Sequence, residues 1–148
     1  MNIKTTNLTK PKNVYRQDKP AERNLKDMNM EDCVLSGEMK IFVHHIYELQ
    51  KGIRYMAMCT MEKENVTFAI QKLGRVGFDY EIRPVNTRRL NLFFGKKECI
   101  DIVRMLCNRP LNQLSPEEDF ILGALLGYDV CQQCERYRRR KKTPATNG

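Results

Sequence analysis

A Cys-x-x-Cys pair, Cys131 and Cys134, stands directly before a block of basic residues near the end of the sequence. Such a pair can bind a metal ion or exchange thiol for disulfide, but a closed zinc site needs four ligands and the sequence has no second pair. If Asp129 begins a helix, Cys131 lies in its first turn, where a thiolate is stabilised, although the Asp129 charge opposes this effect. On such a helix Val130, Cys134 and Tyr137 share one face. We interpret the pair as packing residues, with metal and redox roles as alternatives.

Two adjacent histidines, His44 and His45, could serve acid–base chemistry because the histidine pKa lies near neutral pH. The sequence offers Glu48 as a nearby carboxylate and no nucleophile motif. A thiol- or histidine-dependent enzyme built on His44, His45 and Cys134 is therefore an alternative hypothesis. A hydrogen-bonded histidine at the end of a buried strand is the simpler interpretation.

The stretch Gly95-Lys96-Lys97 follows a predicted strand and opens a predicted helix. This geometry presents backbone N–H groups to an anion, and lysines in a first helical turn are better accommodated when an anion is bound. Glu98 partly balances the two lysines, and no Walker or dinucleotide glycine pattern supports the site. It remains a candidate for anion binding.

The basic block accounts for nearly all of the net charge of +8, because residues 136–148 contribute +6 and the rest of the chain is close to neutral. The helix dipole, an acidic protein partner or RNA could each account for these cations. Only Tyr137 interleaves an aromatic ring, and no basic stripe extends into the body, so RNA is the less favoured partner. The candidate partner-binding residues are Arg136, Arg138, Arg139, Arg140, Lys141 and Lys142.

The 148 residues predict a single domain with extensions at both ends. Residues 1–38 are polar without a sustained period, so we expect a disordered or loosely attached extension, followed by the domain over 39–137 and a basic tail over 138–148. The first residues lack the apolar core of a signal peptide, and no apolar run reaches the length of a membrane span. Six irregularly spaced cysteines then fit reduced thiols, and we expect a cytoplasmic protein without membrane contact.

Hydrophobic periodicity predicts how these residues are positioned. Met39–Tyr47 reads as a strand that is apolar on both faces, and helices are expected over about 49–60 and 64–75. Alternation over 78–84 and an apolar run over 90–94 predict a hairpin. Three more helices complete the order: one over about 97–107, one that begins at the Ser115 N-cap with Pro116 and Glu118 in a capping box, and one from Asp129 to about Lys141.

The predicted fold is therefore α+β, with a small three-stranded sheet in the order β-α-α-β-β-α-α-α and five helices around it. In a split β-α-β arrangement, residues 90–94 would lie in the middle and 40–46 at an edge. An apolar edge strand should not stay open to water, so we expect a helix or a second copy to cover it. The close-approach stretch Gly123–Gly127 offers another surface for a second copy.

Several of these segments together resemble the bacterial domain-of-unknown-function family 2023. The segments are Met39-Lys-Ile-Phe-Val-His-His-Ile-Tyr-Glu48, Lys51-Gly-Ile-Arg54, Asn91-Leu-Phe-Phe-Gly95, Leu114–Asp129 and Gln133-Cys-Glu-Arg-Tyr137. The resemblance spans about residues 39–137 and implies three strands, five helices and a homodimer, with no established activity. Genes of the family often lie beside one for flavodoxin, which implies a partner of that kind. The N-terminal extension and Cys131 depart from the family pattern.

These observations favour a homodimeric binding or accessory protein over an enzyme, without a cofactor. An acidic protein such as a flavodoxin is the expected partner, and the resemblance implies a link to flavodoxin-type electron transfer. RNA binding through the basic tail is a further alternative.

Overall fold

The computed structural model describes residues 36–106 and 109–143, and within these ranges the chain forms five α-helices and one three-stranded sheet. None of the helices described is both long enough and apolar enough to cross a membrane. The elements in chain order are α1 Gly37–Gln50, β1 Met56–Glu62, α2 Val66–Val76, β2 Asp79–Pro84, β3 Arg89–Gly95, α3 Lys97–Leu106, α4 Pro116–Leu125 and α5 Val130–Lys142.

The sheet confirms the predicted α+β class. Its strand order is β1-β3-β2, and β3 pairs antiparallel with both neighbours. Because α2 connects the two outer strands, which run parallel to each other, the arrangement is the split β-α-β plan with 90–94 in the middle, as predicted. Pro84 ends β2 at a sheet edge, where its missing N–H is tolerated.

The prediction of a first strand over Met39–Tyr47 is wrong, because this segment belongs to helix α1. Its buried residues, Met39, Phe42, Ile46 and Leu49, recur at helical spacing, whereas Ile41 is 56% exposed. Ser36 caps the helix by accepting a hydrogen bond from the Met39 N–H at 3.4 Å. The helical spacing of the large side chains therefore outweighs the β-branched residues that suggested a strand.

The helix expected over 49–60 is also wrong, since β1 occupies Met56–Glu62 and takes the edge position expected for 40–46. Met, Ala and Glu favour helices in isolation, but in this strand Met56 is buried on one face of the sheet and Ala57 on the other. Packing on two sides overrides local propensity. The first two elements thus exchange types, and the remaining elements follow the predicted order.

Two hydrophobic cores flank the sheet. Helices α1 and α2 pack on one face, where Phe42 of α1 meets Phe94 of β3 with ring centroids 5.0 Å apart. Helices α3 and α4 pack on the opposite face, where Ile100 and Leu122 lie in one cluster with Phe93. The sheet therefore separates the residues of α1 from those of α4 and of the elements packed beside α4.

The expected extension over residues 1–38 falls almost wholly outside the described residues, of which the first is Ser36. The boundary expected at residue 137 falls inside α5, so residues 138–142 continue a helix. Residues 144–148, the rest of the expected tail, also lie outside the described part of the chain.

Candidate functional site

Helices α4 and α5 form a two-helix unit with well-defined starts. The Ser115 hydroxyl accepts a hydrogen bond from the Glu118 N–H at 3.1 Å, and the Glu118 carboxylate accepts one from the Ser115 N–H at 2.8 Å, which confirms the predicted capping box. Gly127 ends α4 with a φ of +75°, which favours glycine. Asp129 then caps α5 by accepting a hydrogen bond from the Gln132 N–H at 2.8 Å, also as predicted.

Three cations of the basic block attach α5 to α4. Arg136 donates from Nε to Asp119 Oδ2 at 2.7 Å and from Nη2 to Oδ1 at 3.2 Å. Arg140 donates to the Leu114 carbonyl at 2.7 Å, and Lys141 pairs with Glu117. These contacts show that half of the block serves the fold.

The cations of α5 lower the pKa values of the two carboxyl groups that they contact on α4. Hydrogen bonds from Lys141, with a further one from Tyr137, lower the pKa of Glu117 to about 2. The hydrogen bond from Arg136 and the nearby charge of Arg140 hold the pKa of Asp119 below its usual value despite partial burial. Both carboxyl groups are therefore ionised throughout the neutral range.

Close packing also joins the two helices. A Cβ added at Gly123 would lie 2.2 Å from the Gln133 side-chain oxygen, so a larger residue where α5 crosses α4 would require the Gln133 side chain to move. The ring of Phe120 meets that of Tyr137 with centroids 5.8 Å apart. The close approach expected of Gly123 is thus used within the chain, between α4 and α5.

The other three cations of the block form a cationic ridge, Arg138, Arg139 and Lys142, on the solvent side of α5. All three are exposed, and none forms an ion pair with another described residue. Beside them runs an apolar groove of about 520 Å³, lined by Glu117, Phe120, Ile121, Cys134, Tyr137 and Arg138. The ridge and the groove together make a charged and apolar surface.

The two cysteines of the Cys-x-x-Cys pair are both exposed on α5, so our interpretation of them as buried packing residues is wrong for this chain by itself. α5 buries none of its residues fully, because it rests on α4 through polar contacts. Among the described residues no three His, Cys, Asp or Glu side chains come together as metal ligands. Any metal or thiol chemistry at this position would therefore involve Cys131 and Cys134 without a third ligand from the described residues.

The two histidines lie on α1, with His45 Nδ1 2.9 Å from one oxygen of Glu48 and His44 Nε2 3.5 Å from the other. Arg54 Nε lies 2.9 Å from the same carboxylate. The contact with His45 is the main cause that holds the pKa of Glu48 below its usual value. Of these contacts only the one between His45 and Glu48 has the geometry of a hydrogen bond, and the buried Arg54 Nε lacks a hydrogen-bond partner in the described part of the chain.

The enzyme hypothesis needs His44, His45 and Cys134 to meet. α1 packs on one face of the sheet, whereas Cys134 lies on α5, which rests on α4 at the opposite face. The structure therefore does not bring the three candidates together.

The anion-site candidate at Gly95, Lys96 and Lys97 is partly occupied by contacts of the fold. A Cβ at Gly95 would lie 2.3 Å from the Tyr55 carbonyl oxygen, so this glycine allows β1 and β3 to pair closely. The Lys96 N–H donates to that same carbonyl at 2.9 Å, and the Lys97 ammonium pairs with Asp101. Fewer free donors remain than the sequence suggested.

The chain can now be compared with known proteins. Residues 40–140 match the model of a family described as a protein of unknown function, DUF2023. The chain belongs to this family. A search of curated proteins finds no match. The family match spans most of α1 to most of α5, so the groove and Arg138 and Arg139 of the ridge lie within it, whereas Lys142 lies beyond its end.

Sequence reasoning missed a polar row across the family domain's sheet. Asn91 of the central strand β3 pairs in register with Thr60 of β1 and Arg83 of β2. The Thr60 hydroxyl donates to the Asn91 amide oxygen at 2.7 Å. A polar residue inside the apolar run Leu90–Phe94 was the available signal, since buried polar groups need partners.

Arg104 is a second residue that the sequence did not single out. From α3 it reaches Asp79 and Glu81 of β2, Asp101 of its own helix, and the Tyr80 carbonyl at 2.9 Å. Three carboxylates around one guanidinium raise the pKa of Arg104. This network ties α3 to the sheet edge and leaves Arg104 no donor for a ligand.

Proposed function

We propose that this chain is a binding or accessory protein that docks an acidic protein partner through the cationic ridge on α5. The observation that carries the proposal is the division of the basic block. Arg136, Arg140 and Lys141 are neutralised by α4, whereas the ridge residues are exposed without an acidic partner among the described residues. Cations not needed for the fold are available for steering and recognition.

The apolar groove favours a protein over a nucleic acid as the partner. Protein interfaces combine buried aromatic and aliphatic side chains with a charged rim, and Phe120 and Ile121 in the groove lie beside Arg138 of the ridge. A flavodoxin is the first partner to test, because the resemblance to the family implies one.

The test compares two triple charge reversals with the same change in net charge. Arg138→Glu, Arg139→Glu and Lys142→Glu change the ridge, whereas Lys40→Glu, Lys63→Glu and Arg75→Glu change exposed cations elsewhere. The association rate with a flavodoxin, measured by stopped flow at low and high salt, should fall by about tenfold or more for the ridge variant alone. Dissociation should change much less.

Two results would contradict this function. Equal slowing by both triple variants would show that net charge matters and the ridge does not. Tight binding of a single-stranded RNA, with no binding of the acidic protein in the same buffer, would replace the proposal with RNA recognition. The affinity for either partner falls as the salt concentration rises, so the direct comparison in one buffer decides between them.

The family resemblance also implies a homodimer, and we propose that the groove side of α4 and α5 forms its interface. Ile121 is 39% exposed and Val130 is 59% exposed, next to the exposed thiol of Cys134. Free cysteine is usually buried, and a second copy packed on this side would bury the Cys134 thiol. A dimer would cover the groove, so in the dimer the acidic partner would contact the ridge through Arg139 and Lys142, which do not line the groove.

Light scattering after size exclusion tests this interface. Val130→Asp should convert a dimer to a monomer, because a buried unpaired carboxylate is costly. Ile53→Asp is the matched control, since Ile53 is 67% exposed on the loop before β1. A wild-type monomer at micromolar concentration would exclude the dimer, and dissociation by Ile53→Asp alone would move the interface to the other side of the molecule.

A further inference from the structure

A second cleft, of about 580 Å³, lies at the far end of the sheet from the turn that holds Gly95. The end of the β2–β3 hairpin forms one wall, with Arg83, Val85 and Asn91. The loop before α4 forms the other wall, with Arg109 and Leu111. The cleft is separate from the cationic ridge and groove, so it does not depend on the function proposed above.

Two residues of the polar row of the sheet, Asn91 and Arg83, line this cleft. One row further along the same sheet face, Phe93 is fully buried in the core, so the row of Asn91 marks where the helices stop covering the sheet. Asn91 is only 8% exposed, and its amide oxygen is occupied by the Thr60 hydroxyl. Its amide nitrogen donates no hydrogen bond to another described residue. This nitrogen is not among the fully buried atoms that lack a partner, so it reaches solvent and is available to a ligand.

The arginine beside Asn91 has spare donors as well. Arg83 Nη2 lies 3.3 Å from Glu81, but Glu81 is also bound by Arg104 Nε at 3.2 Å. The Nε atom of Arg83 is buried and has no hydrogen-bond partner in the described part of the chain. Because Nε is fully buried, a ligand in the cleft would reach the terminal nitrogens, of which Nη1 forms no ion pair with another described residue, and a guanidinium can bind a carboxylate or phosphate in this way.

The lining of the cleft excludes cations and favours anions. Arg83 and Arg109 both line it, and none of the described lining residues is acidic. The Nη2 atom of Arg109 pairs with the Glu118 carboxylate at 3.1 Å. Beside the donors stand apolar side chains, including Val85, which is exposed, and Leu111. A few convergent donors next to an apolar wall are typical of small-molecule sites.

We propose that this cleft binds a small organic anion, whose carboxylate or phosphate group is held by Arg83 and Asn91. The apolar part of the ligand lies against Val85 and Leu111, and Arg109 closes the anionic end. The shared chemistry is a singly or doubly charged oxyanion on a short apolar chain.

The test uses hexanoate and hexyl phosphate as probes, with hexylamine, inorganic phosphate and acetate as controls. Titrations followed by ¹H–¹⁵N NMR should show binding of at least one probe at about millimolar concentration or below, with the shifts at Arg83 and Asn91. The stronger of the two probes identifies the anionic group. Hexylamine should not bind, and inorganic phosphate and acetate should bind more weakly than the matching probe.

Two variants decide whether the cleft is the site. Arg83→Gln should weaken the probe by about tenfold or more, whereas Arg75→Gln, an exposed arginine on α2, should leave binding unchanged. If Arg83→Gln does not fold, Arg109→Gln on the loop replaces it, with a smaller expected loss. No binding of either probe at about 10 mM, or equal binding by the Arg83 and Arg75 variants, would overturn the proposal.

Discussion

Arg136 and Asp119 form a two-pronged ion pair that joins α5 to α4, with N–O distances of 2.7 and 3.2 Å. The Asp119 carboxylate also lies 3.5 Å from Arg140 Nη1, so one acid serves two turns of α5. Because α5 has no fully buried residue, its position depends on such polar contacts more than on a hydrophobic core. Exposed ion pairs are individually weak, which makes α5 the least firmly attached of the five described helices.

Asp119→Asn should therefore loosen α5 without unfolding the domain. We expect a loss of about 1 kcal/mol in the free energy of unfolding, because the charge-assisted pairs become neutral. Amide hydrogen exchange should rise along α5 and stay unchanged in the sheet. Asp101→Asn is the matched control, since Asp101 pairs with Lys97 and Arg104 on α3. Unchanged protection of α5 in the Asp119 variant would contradict this view of its attachment.

The attachment of α5 should also be lost in acid. The lowered pKa values of Glu117 and Asp119 mean that their contribution is complete above the unfolded-state values near 4 and is lost as the pH falls below them, for Glu117 towards its folded-state pKa of about 2. The protection factors of the α5 amides, which correct for the pH dependence of intrinsic exchange, should be constant from about pH 7 to 5 and fall below about pH 4. Release centred near pH 6 would implicate a histidine instead, and the described histidines lie on α1.

The cysteines give a paired test of burial. Cys59 is buried in β1, and burial raises its pKa to about 11, whereas Cys134 is exposed. Cys59→Ser should cost about 1–2 kcal/mol, because a hydroxyl is buried, and Cys134→Ser less than about 0.5 kcal/mol, below the 1–2 kcal/mol that packing on α5 would have implied. Thiol labelling mapped by mass spectrometry should be fast at Cys134 and slow at Cys59. Slow labelling of Cys134 in a dimer would place it in the interface.

Two glycines should respond in opposite directions to replacement by alanine. At Gly95 a Cβ would lie 2.3 Å from the Tyr55 carbonyl, and the φ of +151° is unfavourable for other residues, so Gly95→Ala should cost about 3 kcal/mol or more. At Gly74, on α2, a Cβ meets nothing within 4 Å, so Gly74→Ala should stabilise by up to about 1 kcal/mol. Chemical denaturation of both variants checks this, and a tolerated Gly95→Ala would contradict the tight pairing of β1 with β3.

The sequence predicts the elements whose signals are local. The capping residues Ser115 and Asp129 locate the starts of α4 and α5, and alternation locates the hairpin. The first two elements are wrong because their periods are ambiguous. Met39–Tyr47 contains both an alternating and a helical set of apolar residues, and only packing against Phe94 selects the helical one.

The residues of the candidate site can be predicted from the sequence, but which of them remain free to bind a partner cannot. The basic block is evident in the sequence, but which of its cations remain free depends on the tertiary contact between α5 and the acids of α4. Arg136 and Arg138 differ by two positions and therefore by about 200° around the helix, so one meets Asp119 and the other meets solvent. Asn91 likewise gains its role from a cross-strand neighbour, Thr60, that lies 31 residues away in sequence.

The last prediction concerns where the folded domain begins. Composition predicts that residues 1–38 are dispensable for folding, since they offer too little apolar surface to offset ordering. The start at Met39 implied by the sequence is, however, three residues too late. Ser36 caps α1, and Glu38 accepts hydrogen bonds from the Glu62 N–H at 3.2 Å and from Arg89.

A chain that begins at residue 36 should therefore keep the melting temperature of the full chain, measured by calorimetry. A chain that begins at Met39 should lose about 1–2 kcal/mol, since it lacks both the cap of α1 and the partner of Arg89. Ser36→Ala with Glu38→Gln in the full chain is the matched control and should reproduce that loss. Equal stability of the two shortened chains would show that neither contact stabilises α1, and a large loss on removing residues 1–35 would assign them a role in folding.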